Sequence, residues 1–274
     1  MKSPAEIAAK YESVGKGKTE GKFLQTFMLA ILAGSFIALG GLGSQIASSC
    51  AADPSSARVI SSVVFPIGLF MVLVGGAELF TGNCLITIPV LSKKATVKGM
   101  IRNWVIVYFG NMVGGFLIAA VAAFSHIYSF NDGNLATQVV NTAVTKSTIS
   151  FGDAFLRGIL CNVLVCMAVW CSFAADELAG KVFALWLPVM LFIICGFEHC
   201  VANMFYIPMG ILASTNESYV SKATEAYGIT AEQLANLSVG GFFTNQIPVT
   251  IGNILGGMIF VGLPCYMAHC KKNK

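Results

Sequence analysis

The sequence predicts an all-helical integral membrane protein of six transmembrane helices in two inverted three-helix repeats, with helices 2 and 5 broken. Composition, six long apolar blocks and a set of motifs that returns in the second half carry this prediction. Of 274 residues, 56% are apolar and 11% charged, where a soluble domain has roughly 25% charged. A disordered chain and an ordinary soluble enzyme are thereby excluded, and a net charge of +4 offers no footprint for nucleic acid. The polar stretches between blocks are too short for a folded soluble domain, so function lies within or across the bilayer.

The blocks run over about residues 23–49, 59–91, 103–125, 154–175, 182–213 and 242–268. A span needs about 20 apolar residues, and none of the blocks shows the alternation of a membrane β-barrel strand. Before them, residues 1–22 form a polar N-terminal segment. Ser3-Pro4 with Glu6 is the signature of a capped helix start, which predicts a short surface helix over residues 3–14. Residues 23–268 read as one membrane domain with repeats at about 23–125 and 154–268, and residues 269–274 as a tail. Arg58, Lys146, Arg157 and Lys222 fall on one side, and the other thirteen of the 17 basic residues on the side of the termini. That excess predicts cytoplasmic termini in a cell inner (plasma) membrane.

Blocks two and five are too long for single spans, and each is interrupted. The first break is Gly75-Gly76-Ala77-Glu78-Leu79-Phe80-Thr81-Gly82-Asn83; the second is Gly196-Phe197-Glu198-His199-Cys200-Val201-Ala202-Asn203. Pro66 pairs with Pro188, Gly75 with Gly196, Asn83 with Asn203 and Pro89 with Pro208, and Gly110-Asn111-Met112-Val113-Gly114-Gly115 returns as Gly252-Asn253-Ile254-Leu255-Gly256-Gly257. Three spans per repeat force the second copy to enter from the opposite face, and interrupted helices in matched positions of inverted repeats mark a permeation site. The Gly-x-x-x-Gly pairs read as close helix packing.

His199 is the one histidine inside a span, either a satisfied core side chain or a pore-lining hydrogen-bond and proton donor. Glu78 and Glu198 are carboxylates at membrane depth and each needs a partner. Lys146 is a solvated loop lysine or folds inward to Glu198, while Glu78 is expected to take the free N–H groups of its own broken helix. Asn111, Asn162 and Asn253 are expected to clamp irregular backbone. Phe65, Leu69, Leu79, Phe80, Phe192 and Phe197 stand around the breaks as core, or as rings and branched chains that dewet a passage. Nine cysteines form no Cys-x-x-Cys pair and no zinc-spaced array with histidine. No metal, cofactor or catalytic group is expected.

Phe65-Pro66-Ile67-Gly68-Leu69, Glu78-Leu79-Phe80-Thr81-Gly82-Asn83, Gly196 through Met204, and Ile247 through Asn253 together resemble the formate/nitrite transporter family from about residue 20 onward. The resemblance implies an aquaporin-like architecture, usually a homopentamer with a pore in each protomer. It places the pore histidine on His199, the broken-loop threonine on Thr81, the vestibule lysine on Lys146 beside Glu198, and the paired asparagines on Asn162 and Asn253. It also places an outer hydrophobic slit on Phe65, Leu69 and Phe192 and an inner one on Leu79 and Phe80. The implied substrates are small monovalent anions of weak acids: hydrosulfide, formate or nitrite. Glu78 in the first loop, with Gly82-Asn83 after Thr81, looks closest to the hydrosulfide-channel branch, with formate or nitrite the alternative. An aquaporin-like channel for neutral solutes predicts Asn-Pro-Ala loops, which the sequence lacks. A membrane thiol-redox enzyme built on His199, Cys200 and Glu198 predicts a second ligand cluster, also lacking.

Overall fold

A computed structural model describes residues 1–270; the end of the expected tail, with Lys271, Lys272 and Lys274, lies outside the described residues. The chain folds into helices, with no strand among the described residues. The N-terminal helix α1, Pro4–Glu20, is longer than its expected 3–14. Ser3 caps it in a reciprocal box with Glu6, and α1 lies against the membrane domain rather than fraying. The Tyr11 hydroxyl donates to the Gly82 carbonyl at 3.2 Å, and ion pairs join Lys2 to Asp176 and Lys94 to Glu12.

Among the described residues five helical stretches are long and apolar enough to cross a bilayer: Phe23–Ser48, Pro54–Val74, Val97–Phe124, Phe151–Ser172 and Val239–His269. The remaining expected span is divided between Leu178–Ile194 and Cys200–Ala213. In chain order, α2 is Phe23–Ser48, and α3 (Pro54–Val64) and α4 (Pro66–Val74) are joined at Phe65. After the first break come a 3₁₀ turn, Gly82–Ile86, and α5, Thr87–Leu91. Then follow α6 (Val97–Phe124), α7 (Asn134–Thr148), α8 (Phe151–Ser172), α9 (Leu178–Ile194) and α10 (Cys200–Ala213). Two short helices, α11 (Glu217–Tyr227) and α12 (Ala231–Ala235), precede α13 (Val239–Gly257). A π-helical turn, Met258–Gly262, leads into α14, Leu263–His269.

Helices start earlier than their apolar blocks because capping residues sit outside them. Asp53 precedes Pro54, Thr96 receives the Gly99 N–H, and Ser238 receives the Gly241 N–H. A side-chain oxygen that takes an orphan N–H extends the helix into the headgroup region. The Gly-x-x-x-Gly pairs pack as expected: a Cβ on Gly114 would lie 2.1 Å from the Ile31 carbonyl oxygen, and one on Gly256 2.3 Å from that of Ile159. They hold α6 to α2 and α13 to α8.

The ion pairs that dock α1 predict a pH-dependent attachment. Lys2 holds the Asp176 carboxyl below its ordinary value. At Glu12 burial pushes upward, but hydrogen bonds from Lys94 and Ser92 outweigh it and leave the carboxyl lowered. Groups lowered in the folded state stabilise above their unfolded values, roughly pH 4, and lose that contribution as pH falls through the folded ones. Hydrogen–deuterium exchange in α1, corrected for intrinsic rates, should stay slow from about pH 7 to 5 and accelerate below about pH 4.

Candidate permeation site

Each break is made by one glycine with positive φ, +68° at Gly76 and +67° at Gly196, a conformation that other residues adopt at a cost. The Ala77 N–H then closes on Val72 and the Phe197 N–H on Phe192, at 2.9 and 3.1 Å. Gly76, rather than Gly75, is thus the partner of Gly196. The proline pairing also shifts: Pro66 opens α4, whereas Pro188 lies inside α9.

The polar side chains around the two breaks form the same bonds twice. Asn111 Nδ2 donates to the Glu78 carbonyl at 2.9 Å and its Oδ1 accepts the Phe80 N–H at 2.9 Å. Asn253 Nδ2 donates to the Glu198 carbonyl at 3.0 Å and its Oδ1 accepts the Cys200 N–H at 3.0 Å. Irregular backbone at membrane depth is tolerated because these amides satisfy it. Asn162 adds an unduplicated clamp, with Nδ2 donating to the Thr81 carbonyl at 3.2 Å and the Asn253 carbonyl at 2.6 Å.

The charges are duplicated too. Lys146 Nζ meets Glu198 Oε1 at 2.9 Å, and Asn203 Nδ2 donates to Glu198 Oε2 at 2.6 Å. Asn203 also donates to Asn245 Oδ1, and Asn245 donates to the Lys146 carbonyl. In the first half Lys18 Nζ meets Glu78 Oε1 at 2.7 Å, and Asn83 Nδ2 donates to Glu78 Oε2 at 2.6 Å. Asn83 donates to Asn103 Oδ1, and Asn103 to the Lys18 carbonyl. Glu78 is therefore held by Lys18 and Asn83 and not by the N–H groups of its own broken helix. Lys146 is carried inward on α7, a helix where the sequence suggested a loop. Sequence reasoning does not single out Lys18, Asn83, Asn103, Asn203 or Asn245 for these roles; a signal exists, since Asn103 stands eight residues before Asn111 as Asn245 does before Asn253.

His199 lies 3% exposed at the start of α10. Its Nδ1 accepts the Ala202 N–H at 3.0 Å, capping the helix, and its Nε2 lies 2.9 Å from Thr81 Oγ1. With Nδ1 occupied as an acceptor, the neutral ring carries its proton on Nε2. The two breaks thus meet at an Nε2–H and a hydroxyl. The imidazole stacks on Phe192 with centroids 5.9 Å apart, and Phe192 meets Phe65 edge-on at 5.6 Å.

One cavity of about 470 Å³ reaches Lys146, Glu198, Phe197 and Tyr206, and another of about 430 Å³ reaches Lys18, Glu78, Leu69 and Leu79. Phe65, Phe192, Thr81 and His199 line neither, and all are buried. Leu69, one helical turn from Phe65, lines the cavity of Glu78 and Leu79. Phe80 is turned to the rings of Trp104 and Tyr108, at 6.3 and 5.1 Å, since its N–H is fixed by Asn111. All nine cysteines are unbridged.

A family model described as "Formate/nitrite transporter" matches residues 5–267. The "Formate channel FocA" of Escherichia coli K12 is 38% identical, over 98% of this chain and 95% of its own length. A "Probable formate transporter" of Methanothermobacter thermautotrophicus is 35% identical, over 99% and 98%. The solved "Pentameric formate channel with formate bound" superposes with a TM-score of 0.82 at 35% identity, covering 91% of this chain and 98% of that one.

Proposed function

Because the chain belongs to the formate/nitrite transporter family, whose members are membrane channels and transporters and not enzymes, we propose that it conducts a small weak-acid anion, formate foremost, past Thr81 and His199. The observation that carries this reading is the contact between the two breaks: one ring N–H and one hydroxyl, walled by Phe65 and Phe192, between two lysine-bearing cavities. The names of the relatives support formate ahead of the hydrosulfide suggested by the loop from Glu78 to Asn83. The pentameric relative supports an assembly of five protomers. The excess of basic residues on the side of the termini supports cytoplasmic termini in the plasma membrane.

Lys146 spends one N–H on Glu198 and has others for an anion entering the outer cavity. An anion pressed against Phe65 and Phe192 loses water, at a cost that grows steeply for a full charge. Desolvation makes that anion more basic. His199 Nε2–H turns from Thr81 to the anion as its hydrogen-bond donor. Because Nδ1 is occupied by the Ala202 N–H, a proton from the outer solution reaches the anion through water in the outer cavity, and the ring holds the acid in place while it forms. The neutral acid crosses the apolar slit and ionises again in the cavity of Lys18.

Uptake into proteoliposomes tests this by comparing formate, nitrite and hydrosulfide on one preparation. Formate should enter with one proton and without a response to membrane potential. A formate current that follows voltage with no pH change would show that the bare anion passes. Transport of hydrosulfide with exclusion of formate would reverse the choice of substrate.

A further inference from the structure

We infer a binding groove for an anionic phospholipid between α1, the end of α4 and the α8–α9 turn, outside the permeation path. A cavity of about 300 Å³ lies there, with Lys10 and Lys181 among its lining and Leu73, Val74, Phe173 and Leu185 forming its apolar part. Leu185 is fully buried while Val74 is 49% exposed, so the apolar part opens onto the surface of the protomer. Asp176 also borders the groove, but its carboxylate is taken by Lys2. Lys10 and Lys181 make no ion pair among the described residues, and Lys10 Nζ stands 5.2 Å from the centroid of Phe173. Two unpaired ammonium groups over an apolar groove match a phosphodiester above an acyl chain, and basic pockets between transmembrane helices hold such headgroups. A soluble anion would use the lysines and leave the apolar part wet. The groove lies on the side of both ends of the chain, where α1 packs against α14.

Leu73 and Phe173 line both this groove and the cavity of Glu78. A seated lipid therefore braces one wall of that cavity and ties α1 to α9.

Native mass spectrometry of the full-length protein, extracted from vesicles of equal phosphatidylglycerol and phosphatidylcholine, tests the groove without any measurement of transport. The wild-type protein should retain phosphatidylglycerol preferentially. Lys10→Gln/Lys181→Gln should lower the retained ratio about tenfold, and Lys10→Arg/Lys181→Arg should preserve it. Val74→Trp, which fills the groove and leaves the charges, should reduce retention of phosphatidylglycerol several-fold. An unchanged ratio in the glutamine pair, full retention in Val74→Trp, or an equal fall in the control Lys16→Gln/Lys98→Gln would overturn the proposal. Displacement of the lipid by soluble glycerol phosphate at equal concentration would do so as well, by assigning the lysines to a soluble anion.

Discussion

Lys146→Met is expected to destabilise the protein by about 3–5 kcal/mol, and Lys146→Met/Glu198→Gln to recover most of that loss. The Glu198 side chain is 7% exposed and its carboxylate is met by Lys146, Asn203 and Asn245. Without the ammonium, two amide donors remain to hold a buried negative charge, and a buried charge that loses its partner costs far more than the intact pair contributes. Glutamine at position 198 removes the charge and keeps an oxygen for Asn203. Thermal unfolding in detergent, followed by near-ultraviolet circular dichroism, provides the cycle. Equal losses in the single and double variants would mean that the pair is not coupled. The matching change at Lys18 should cost less, because the Lys18 and Glu78 side chains are 19% and 12% exposed and water shares in the compensation. Formate uptake should stay low in the double variant, since the ammonium and carboxylate beside the second break are gone while the fold is restored.

His199→Asn separates the two jobs of the ring. An asparagine oxygen caps a helix as well as any residue, so α10 keeps its first bond and stability should change by less than about 1 kcal/mol. The shorter amide reaches less far toward Thr81 and the passage. Uptake of formate should fall by about two orders of magnitude, the scale of removing one positioned donor from a desolvated charge. His199→Leu should show the same loss of uptake and an added destabilisation of about 1 kcal/mol from the missing cap. Near-normal uptake in His199→Asn would show that capping, rather than donation from Nε2, is what the position requires.

The breaks are legible in the sequence because glycine and polar residues in the middle of a long apolar run leave backbone and charge that a continuous lipid-facing helix has no means of satisfying. Lys146 with Glu198 is legible because a buried carboxylate requires a cation and the outer side has few. What cannot be read is rotation about the breaks. A single positive φ at Gly76 redirects every following side chain, so the packing of the Phe80 ring on Trp104 and Tyr108 is not readable from spacing. Lys18 is hidden in a polar segment whose helix makes no apolar pattern of its own. Only tertiary packing against Glu78 gives that lysine a role.

The duplicated bonds use backbone groups and a few asparagine, glutamate and lysine side chains, and the residues just after each glutamate are unlike. Leu79 stands where the other half has His199, and Thr81 where it has Val201. The side chains at those paired positions take no part in the repeated bonding, although the Leu79 and His199 carbonyls each accept an asparagine N–H, from Asn83 and Asn203. On the proposed function, the side chains that would select cargo stand apart from the repeated bonds, with His199 alone also capping α10. Exchanging positions 79 and 199 between halves is expected to leave the repeated side-chain bonds in place and to cost the His199 cap on α10. Moving the histidine to position 79 and leucine to 199 would ask whether direction across the bilayer is written in two residues or in the frame.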